Sequence, residues 1–189
     1  MMAHENTAAL SDEYLVEGCL KRDNACREAL YRKYSGDLYQ YALRYASCKE
    51  DAEDILQEAF LVIFERIGQF RNEGGLLSWM RTIVIRKAMR HYKRSLKRWR
   101  HEIPYQENIT EYGADSETLP CHQIEYLSLL QLIQSLPDGL RMVFNLCEVE
   151  GYNCETAAEI LDCSPSNCRS QLSRAKNRLR KLINGLDNI

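Results

Sequence analysis

Long apolar runs, helix-breaking residues and recognisable catalytic motifs are all scarce in this sequence. Its 189 residues include only four prolines and nine glycines, while 45% are hydrophobic, which favours long helices over many short strands. No apolar stretch is long enough to cross a bilayer, and no charged-then-apolar leader precedes the helical region. We therefore predict an all-α protein of the cytosol, without membrane insertion.

Metal-binding and catalytic spacings are also missing. The four histidines form neither a metal-ligand set nor a catalytic triad, and no glycine-rich phosphate loop occurs, so we expect no enzyme and no cofactor. Eight cysteines lie scattered without a CxxC pair, which predicts free thiols in a reducing compartment. Cysteine packs in helix cores as a small hydrophobe, so we assign no metal ligand. A metal or redox site stays open for one close group, Cys147, Cys154, Cys163 and Cys168.

Charge is sorted into blocks, although the net formal charge is only −2. Residues 48–65 carry six acids and one base, and residues 81–101 carry nine lysines and arginines and no acid. Residues 102–125 carry six acids and no lysine or arginine, whereas residues 164–189 carry six bases and one acid. Two basic segments predict two contacts with a polyanion, and the isolated acidic helix predicts a basic protein partner.

Helical periodicity divides the chain into two predicted domains. Apolar residues recur at helical spacing over residues 10–98, with a loop at 68–75, and again over residues 126–187. Between them the acidic stretch 99–125 loses this periodicity and is typical of a flexible linker. We predict two small helical domains joined by that linker.

The C-terminal domain has the pattern of a helix-turn-helix, a unit that reads DNA. A short helix over 153–161 precedes a turn at 162–164 and a longer helix over 165–183. Ser164 supplies a capping hydroxyl for this longer helix, and Pro165 suits its first position because the missing N–H costs nothing there.

The longer helix is expected to have a buried face and a DNA-reading face. Arginine can bond guanine edges, asparagine can bond adenine, and serine can position phosphates in the major groove. A basic, solvated helix on an unrelated bundle is the plainer alternative. The side chains expected to pack inward are Cys168, Leu172, Ala175 and Leu179. Those at or near the opposite face are Asn167, Arg169, Ser170, Ser173, Arg174 and Asn177.

Two further helices carry opposite charge. In the acidic one, the apolar side chains Ile55, Ala59, Ile63 and Ile67 are expected to face the core. Its polar face, Asp54, Gln57, Glu58, Leu61 and Glu65, is interpreted as a docking surface, although a merely solvated face has the same pattern. The basic helix is expected to bind phosphate through Arg86, Lys87, Arg90, Lys93 and Arg94. Aromatic residues that could stack on unpaired bases, or fill the core, are Phe70, Trp79, Tyr92 and Trp99.

In this order, the segments resemble the extracytoplasmic-function group of bacterial sigma factors over nearly the whole chain apart from the linker. DAEDILQEAF, residues 51–60, is similar to the family motif that binds the clamp helices of the largest subunit of core RNA polymerase. Residues 70–79 are similar to the loop that captures a flipped base of the minus-ten element, with Asn72 at the usual glycine. Residues 136–176 are similar to the minus-thirty-five reader.

Residues and resemblance together assign three sets of contacts. Core polymerase would bind Asp54, Gln57, Glu58, Leu61 and Glu65. Minus-ten DNA would contact Phe70, Arg71, Asn72, Glu73, Trp79, Arg86, Lys87, Arg90, Lys93 and Arg94. Minus-thirty-five DNA would contact Asn167, Arg169, Ser170, Gln171, Ser173 and Arg174.

The resemblance implies a non-catalytic alternative sigma factor, monomeric when free, with an anti-sigma factor as a further partner. Arg86 and Arg90 stand where the family often has asparagine and a polar or acidic residue, so an unusual minus-ten preference is expected. The competing interpretation is a one-component helix-turn-helix regulator, in which residues 1–100 serve dimerisation or ligand binding. That protein would bind a palindrome without polymerase.

Overall fold

A computed structural model describes residues 10–102 and 129–186, and these residues are helical, with no strand among them. The predicted all-α fold class is confirmed. The chain divides after Ala88 into two compact units, Met1–Ala88 and Met89–Ile189. Most of the predicted linker, residues 103–125, lies outside the described residues, so the predicted domain bounds stay a prediction. Within the described ranges, no helix is both long enough and apolar enough to span a bilayer.

The first unit is built on three helices and the start of a fourth. Helix α1 covers Asp12–Leu20, α2 covers Asn24–Tyr45 and α3 covers Lys49–Arg66. A single 3₁₀ turn, Ile67–Gln69, follows, and α4 runs over Leu76–Glu102 into the second unit. The loop predicted at 68–75 is therefore shorter than expected, because Gly68 and Gln69 continue the helical path.

Side-chain caps explain where these helices begin. Ser11 Oγ accepts a hydrogen bond from Tyr14 N at 3.2 Å, and Asp23 Oδ1 accepts one from Ala25 N at 2.8 Å. Each cap satisfies an amide that has no partner within the first helical turn. Arg22, with φ of 61°, turns the chain between the end of α1 and the start of α2.

The core of the first unit comes from all four helices. Helix α2 packs against both α1 and α3. The side chains that are fully buried here include Leu15, Leu30, Leu38, Ala59, Ile63, Met80 and Val84. Burial of these apolar surfaces holds α3 and the part of α4 up to Ala88 in fixed positions within the unit.

Over residues 129–186 the second unit contains three short helices followed by a long one. Residues 129–134 form α5, Asp138–Phe144 form α6, and a π-helical turn over Asn145–Val149 follows. Helix α7 covers Cys154–Leu161, and α8 covers Pro165–Leu186, three residues beyond the predicted end. Helix α8 packs against α6 and α7 around a core of Leu136, Ala175 and Leu179.

A buried arginine holds the turn between α5 and α6. Arg141 is 2% exposed, and its Nη1 donates to the carbonyl oxygens of Gln134 at 2.8 Å and Leu136 at 3.1 Å. Its Nη2 donates to the carboxylate of Asp138. A guanidinium has five N–H donors in a rigid fork, which lets one side chain bind several turn acceptors at once.

Candidate nucleic-acid interfaces

The polar face of α3 points away from the core of the first unit. Asp54, Gln57, Leu61 and Glu65 are exposed, and Leu61 retains 71% of its accessible surface. Ile55, Ala59 and Ile63, which the helical period places on the other side, are buried. This arrangement agrees with the face assignment made from the sequence. We call the five residues Asp54, Gln57, Glu58, Leu61 and Glu65 the acidic face.

One member of the acidic face is paired within the protein. Lys87 Nζ of α4 lies 3.3 Å from Glu58 Oε2, and the two side chains are 16% and 35% exposed. The sequence placed Lys87 among exposed phosphate-binding bases, and the structure corrects that placement. The pairing could not be found from spacing, because the two residues are 29 positions apart.

Three of the four other bases that the sequence assigns to phosphate binding on α4 are more accessible. Arg86, Arg90 and Arg94 are exposed, and Lys93 is half-buried. Because the arginines recur every fourth residue, they form one stripe along the helix, which we call the basic stripe. Such a stripe can bind successive phosphates of a nucleic-acid strand.

The loop between the 3₁₀ turn and α4 has a defined backbone. Asn72 and Gly75 both have positive φ, of 56° and 79°, a region that asparagine and glycine tolerate better than other residues. Arg71, Asn72 and Glu73 are exposed at its tip. At its two ends, the rings of Phe70 and Trp79 contact each other with centroids 5.7 Å apart. Ring contact thus closes the base of the loop.

A cleft of about 320 Å³ lies beside this loop. Its wall combines loop backbone with an aromatic ring, a guanidinium and a carboxylate. The lining includes Asp12, Tyr41, Gly74, Gly75, Ser78 and Arg81. The guanidinium of Arg81 lies 5.5 Å from the centroid of the Tyr41 ring, which is half-buried rather than in the core. Sequence reasoning missed Asp12, Tyr41 and Arg81 as site residues, since they come from separate helices.

Asp12 is held in place by contacts from α2. Lys33 Nζ lies 2.7 Å from Asp12 Oδ1, and the Tyr34 hydroxyl donates to the same oxygen. Partial burial opposes ionisation of this carboxyl, but the hydrogen bonds from Lys33 and Tyr34 outweigh it and lower the pKa of Asp12. Asp12 therefore brings a fixed negative charge to one side of the cleft.

The helix-turn-helix forms as the sequence predicts. Asn153 Oδ1 accepts from Thr156 N at 2.8 Å to begin α7, and Ser164 Oγ accepts from Asn167 N at 3.2 Å to begin α8. Asp162, with φ of 59°, ends α7 in the left-handed conformation and turns the chain sharply. The two caps and this turn fix the position of α8 relative to α7.

The predicted reading face of α8 is largely exposed. Asn167, Arg169, Ser170, Ser173 and Arg174 are exposed, whereas Gln171 is half-buried and donates to Asn167 Oδ1 at 3.2 Å. On the other side Cys168, Ala175 and Leu179 are buried, while Leu172 is only half-buried, unlike the expectation. Arg169 Nη1 lies 2.7 Å from Glu155 Oε1 of α7, a partner that the sequence did not suggest.

Three of the four grouped cysteines meet in the second unit. The Sγ atoms of Cys147, Cys154 and Cys168 all lie within 4.8 Å of one another, whereas Cys163 stands apart from them. Among the described residues this is the one group of histidine, cysteine or acidic side chains arranged closely enough to hold a metal ion. The sequence assigned no metal ligand.

Comparison with known proteins points to one family. Residues 30–100 match Sigma-70 region 2, and residues 126–179 match Sigma-70, region 4. The chain is 28% identical to the ECF RNA polymerase sigma-E factor of Haemophilus influenzae, with 94% of this chain and 97% of the relative covered. It is 26% identical to the RNA polymerase sigma-H factor of Pseudomonas aeruginosa, with 93% and 95% covered.

One solved structure with similar helices is the sigma factor RpoE from Bartonella quintana, crystallised with the anti-sigma factor NepR. It shares 22% sequence identity with this chain and gives a TM-score of 0.47, covering 83% of this chain and 96% of that one.

Proposed function

The chain belongs to the extracytoplasmic-function group of the sigma-70 family, and from this premise we propose how its surfaces divide the work of transcription initiation. It is an alternative sigma factor that works with RNA polymerase in promoter recognition. The protein performs no chemistry itself, acts in the bacterial cytoplasm, and is a monomer when free. Residues 10–98, 99–125 and 126–187 are its polymerase and minus-ten domain, its linker and its minus-thirty-five domain.

The acidic face of α3 docks on the clamp helices of the largest polymerase subunit. The supporting observation is the exposure of Asp54, Gln57 and Leu61, because two polar side chains lie beside a large apolar one that is open to solvent. Interfaces of this kind gain affinity from a buried apolar anchor and gain orientation and association rate from surrounding charge. Glu58 contributes less directly, since Lys87 already faces it.

The loop at residues 70–75 and the cleft beside it capture an unpaired base of the minus-ten element. The cleft of about 320 Å³ offers an aromatic ring and polar groups, as stacking and base-edge hydrogen bonds require. Flipping a base costs a few kcal/mol, and a pocket that binds only the flipped form shifts the duplex toward the open state. The basic stripe of α4 then holds the adjoining phosphates.

Helix α8 reads the minus-thirty-five element in the major groove. Its exposed arginines, Arg169 and Arg174, can bond guanine edges in a bidentate manner, while Ser170 and Ser173 are suited to phosphate. Asn167 and Gln171 are linked to each other and belong to the same surface. Membership of the group also leads us to propose an anti-sigma factor as a regulatory partner.

Charge reversal on the acidic face tests polymerase docking. We expect Asp54→Lys to weaken binding to core polymerase at least about tenfold, since an attractive contact becomes repulsive. Asp37→Lys, the same change at an exposed residue of α2, is the matched control and should bind like the parent chain. Binding is measured by fluorescence anisotropy of labelled protein titrated with core enzyme.

The same preparations separate the two classes of regulator. Run-off transcription over a genomic promoter library should require core polymerase together with this protein, and the Asp54→Lys variant should lose specific transcripts. Equal polymerase binding and equal transcription by Asp54→Lys would contradict the docking proposal. Tight binding of a palindromic DNA by the protein alone would favour a one-component regulator.

A further inference from the structure

Three cysteine sulfurs converge from three different elements of the second unit. Cys147 lies in the π-helical turn, Cys154 is the first residue of α7, and Cys168 is in the first turn of α8. Their Sγ atoms are within 4.8 Å of one another. The three sulfurs are therefore brought together from separate elements, as the ligands of a metal site often are.

The spacing of the sulfurs is close to that of a metal–thiolate site. Zinc binds thiolate at about 2.3 Å, so in a tetrahedral site two sulfurs lie about 3.8 Å apart. Sulfurs within 4.8 Å of one another need to approach by no more than about 1 Å, which small rotations about the side-chain bonds can supply. Three protein ligands leave a fourth position for water or another ligand.

The three thiols differ in burial: one is fixed in the core and two are partly exposed to solvent. Cys168 is completely buried, so its sulfur is held by the core, whereas Cys147 and Cys154 are half-buried. An ion can thus enter between the two outer thiols. Burial, together with the adjacent Cys168 and Cys154, raises the pKa of Cys147 to about 12.

We propose that Cys147, Cys154 and Cys168 form a binding site for one thiophilic divalent cation of the Zn²⁺ class. Each thiol that binds the ion gives up its proton to solvent, so up to three protons leave as three sulfur–metal bonds form, with no change in oxidation state. Soft thiolate ligands favour such ions over magnesium or calcium. The bound ion would link the π-helical turn to both helices of the helix-turn-helix.

Core packing of three thiols is the competing explanation, and the first unit illustrates it. Cys19 and Cys26 are both buried there, and neither belongs to a group of three possible ligands among the described residues. Cysteine as a small core hydrophobe accounts for such positions. It does not by itself require that three sulfurs from three elements face one another.

Cobalt titration of the full, reduced chain tests the site. Co²⁺ reports thiolate coordination through a charge-transfer absorption band, and Zn²⁺ should displace it. We expect one ion per chain in the parent and at least about 100-fold weaker binding in Cys154→Ser, which removes a ligand sulfur while nearly keeping its size. Cys163→Ser is the matched control and should bind like the parent, since Cys163 lies outside the group.

A second variant and a second measurement guard against misfolding. Cys147→Ser should also lose the cobalt band while keeping the helical circular dichroism of the parent. Saturating Zn²⁺ should raise the melting temperature of the parent by about 5 °C or more and leave both variants unchanged. Absence of a cobalt–thiolate band in the parent, or its persistence in both variants, would overturn the proposal.

Discussion

Each unit of the chain contains a cation that the sequence marks as DNA-binding and that the structure pairs with a carboxylate, but the surroundings of the two pairs differ. In the first unit, Lys87 and Glu58 are 16% and 35% exposed. In the second, Arg169 and Glu155 are 58% and 60% exposed. Water competes with the second pair far more than with the first, so the second pair contributes little stability and opens readily.

From this difference we expect separate roles for two residues that look alike in the sequence. Lys87 joins α4 to α3, so its ammonium is already engaged with Glu58 within the fold. Arg169 rests on Glu155 in the free protein and can exchange that contact for a base edge at small cost. Both cations have a carboxylate partner. We expect the cation of the more exposed pair to remain available to DNA.

Removing Arg169 should give the largest effect on promoter selection. We expect Arg169→Ala to reduce discrimination at one minus-thirty-five position by about 1–3 kcal/mol, with stability changed by less than about 0.5 kcal/mol. Competition between intact and base-substituted promoter fragments for the holoenzyme measures the first quantity, and urea unfolding measures the second. Arg169→Lys is the control, because it keeps the charge and loses the bidentate fork. If Arg169→Ala discriminates between the promoter fragments as well as the parent does, Arg169 does not belong to the reading face.

Removing Lys87 should reverse this pattern. We expect Lys87→Met to lower the free energy of unfolding by about 1–3 kcal/mol, since the partly buried Glu58 loses the ammonium that faces it. Promoter affinity should change little. Lys93→Met on the same helix is the matched control and should weaken DNA binding, with a smaller salt dependence, while unfolding is unaffected. If Lys87→Met weakens promoter binding and leaves the free energy of unfolding unchanged, Lys87 has the same kind of role as Arg169.

Neutralising Glu155 should give the smallest effect. Glu155→Gln releases Arg169 from its ion pair, and we expect promoter affinity to rise by up to about 0.5 kcal/mol, or roughly twofold. The gain should be seen at low salt and fade at high salt, where screening already weakens the exposed pair. Anisotropy titrations of holoenzyme on promoter DNA at two salt concentrations measure it. A loss of affinity would indicate that Glu155 helps to position Arg169.

Local chemistry made much of the fold predictable. The start of α8 follows from a hydroxyl at Ser164 beside Pro165, and the inward position of Ala175 and Leu179 follows from helical spacing. Such features depend on neighbours within one or two turns. The exposure of Asp54 on α3 was predictable for the same reason.

Long-range pairing was not predictable from the same signals. Glu58 and Lys87 meet only because α3 and α4 pack in one unit, and no periodicity encodes that meeting. Likewise, four cysteines were grouped by proximity in sequence, while the left-handed turn at Asp162 and the start of α8 leave Cys163 outside the group that Cys168 joins. Tertiary packing decides the first outcome and turn geometry the second, and one sequence discloses neither.

The π-helical turn at Asn145–Val149 sets the rotation of the helices that follow it relative to α6. Such a turn holds one residue more than an α-helical turn, and here Glu150 N donates to Asn145 O at 2.9 Å across it. Losing one residue there would swing everything beyond it by about 100° relative to α6. We therefore expect a one-residue deletion in the turn to separate Cys147 from Cys154 and Cys168, which makes the extra residue a geometric requirement of the cysteine cluster.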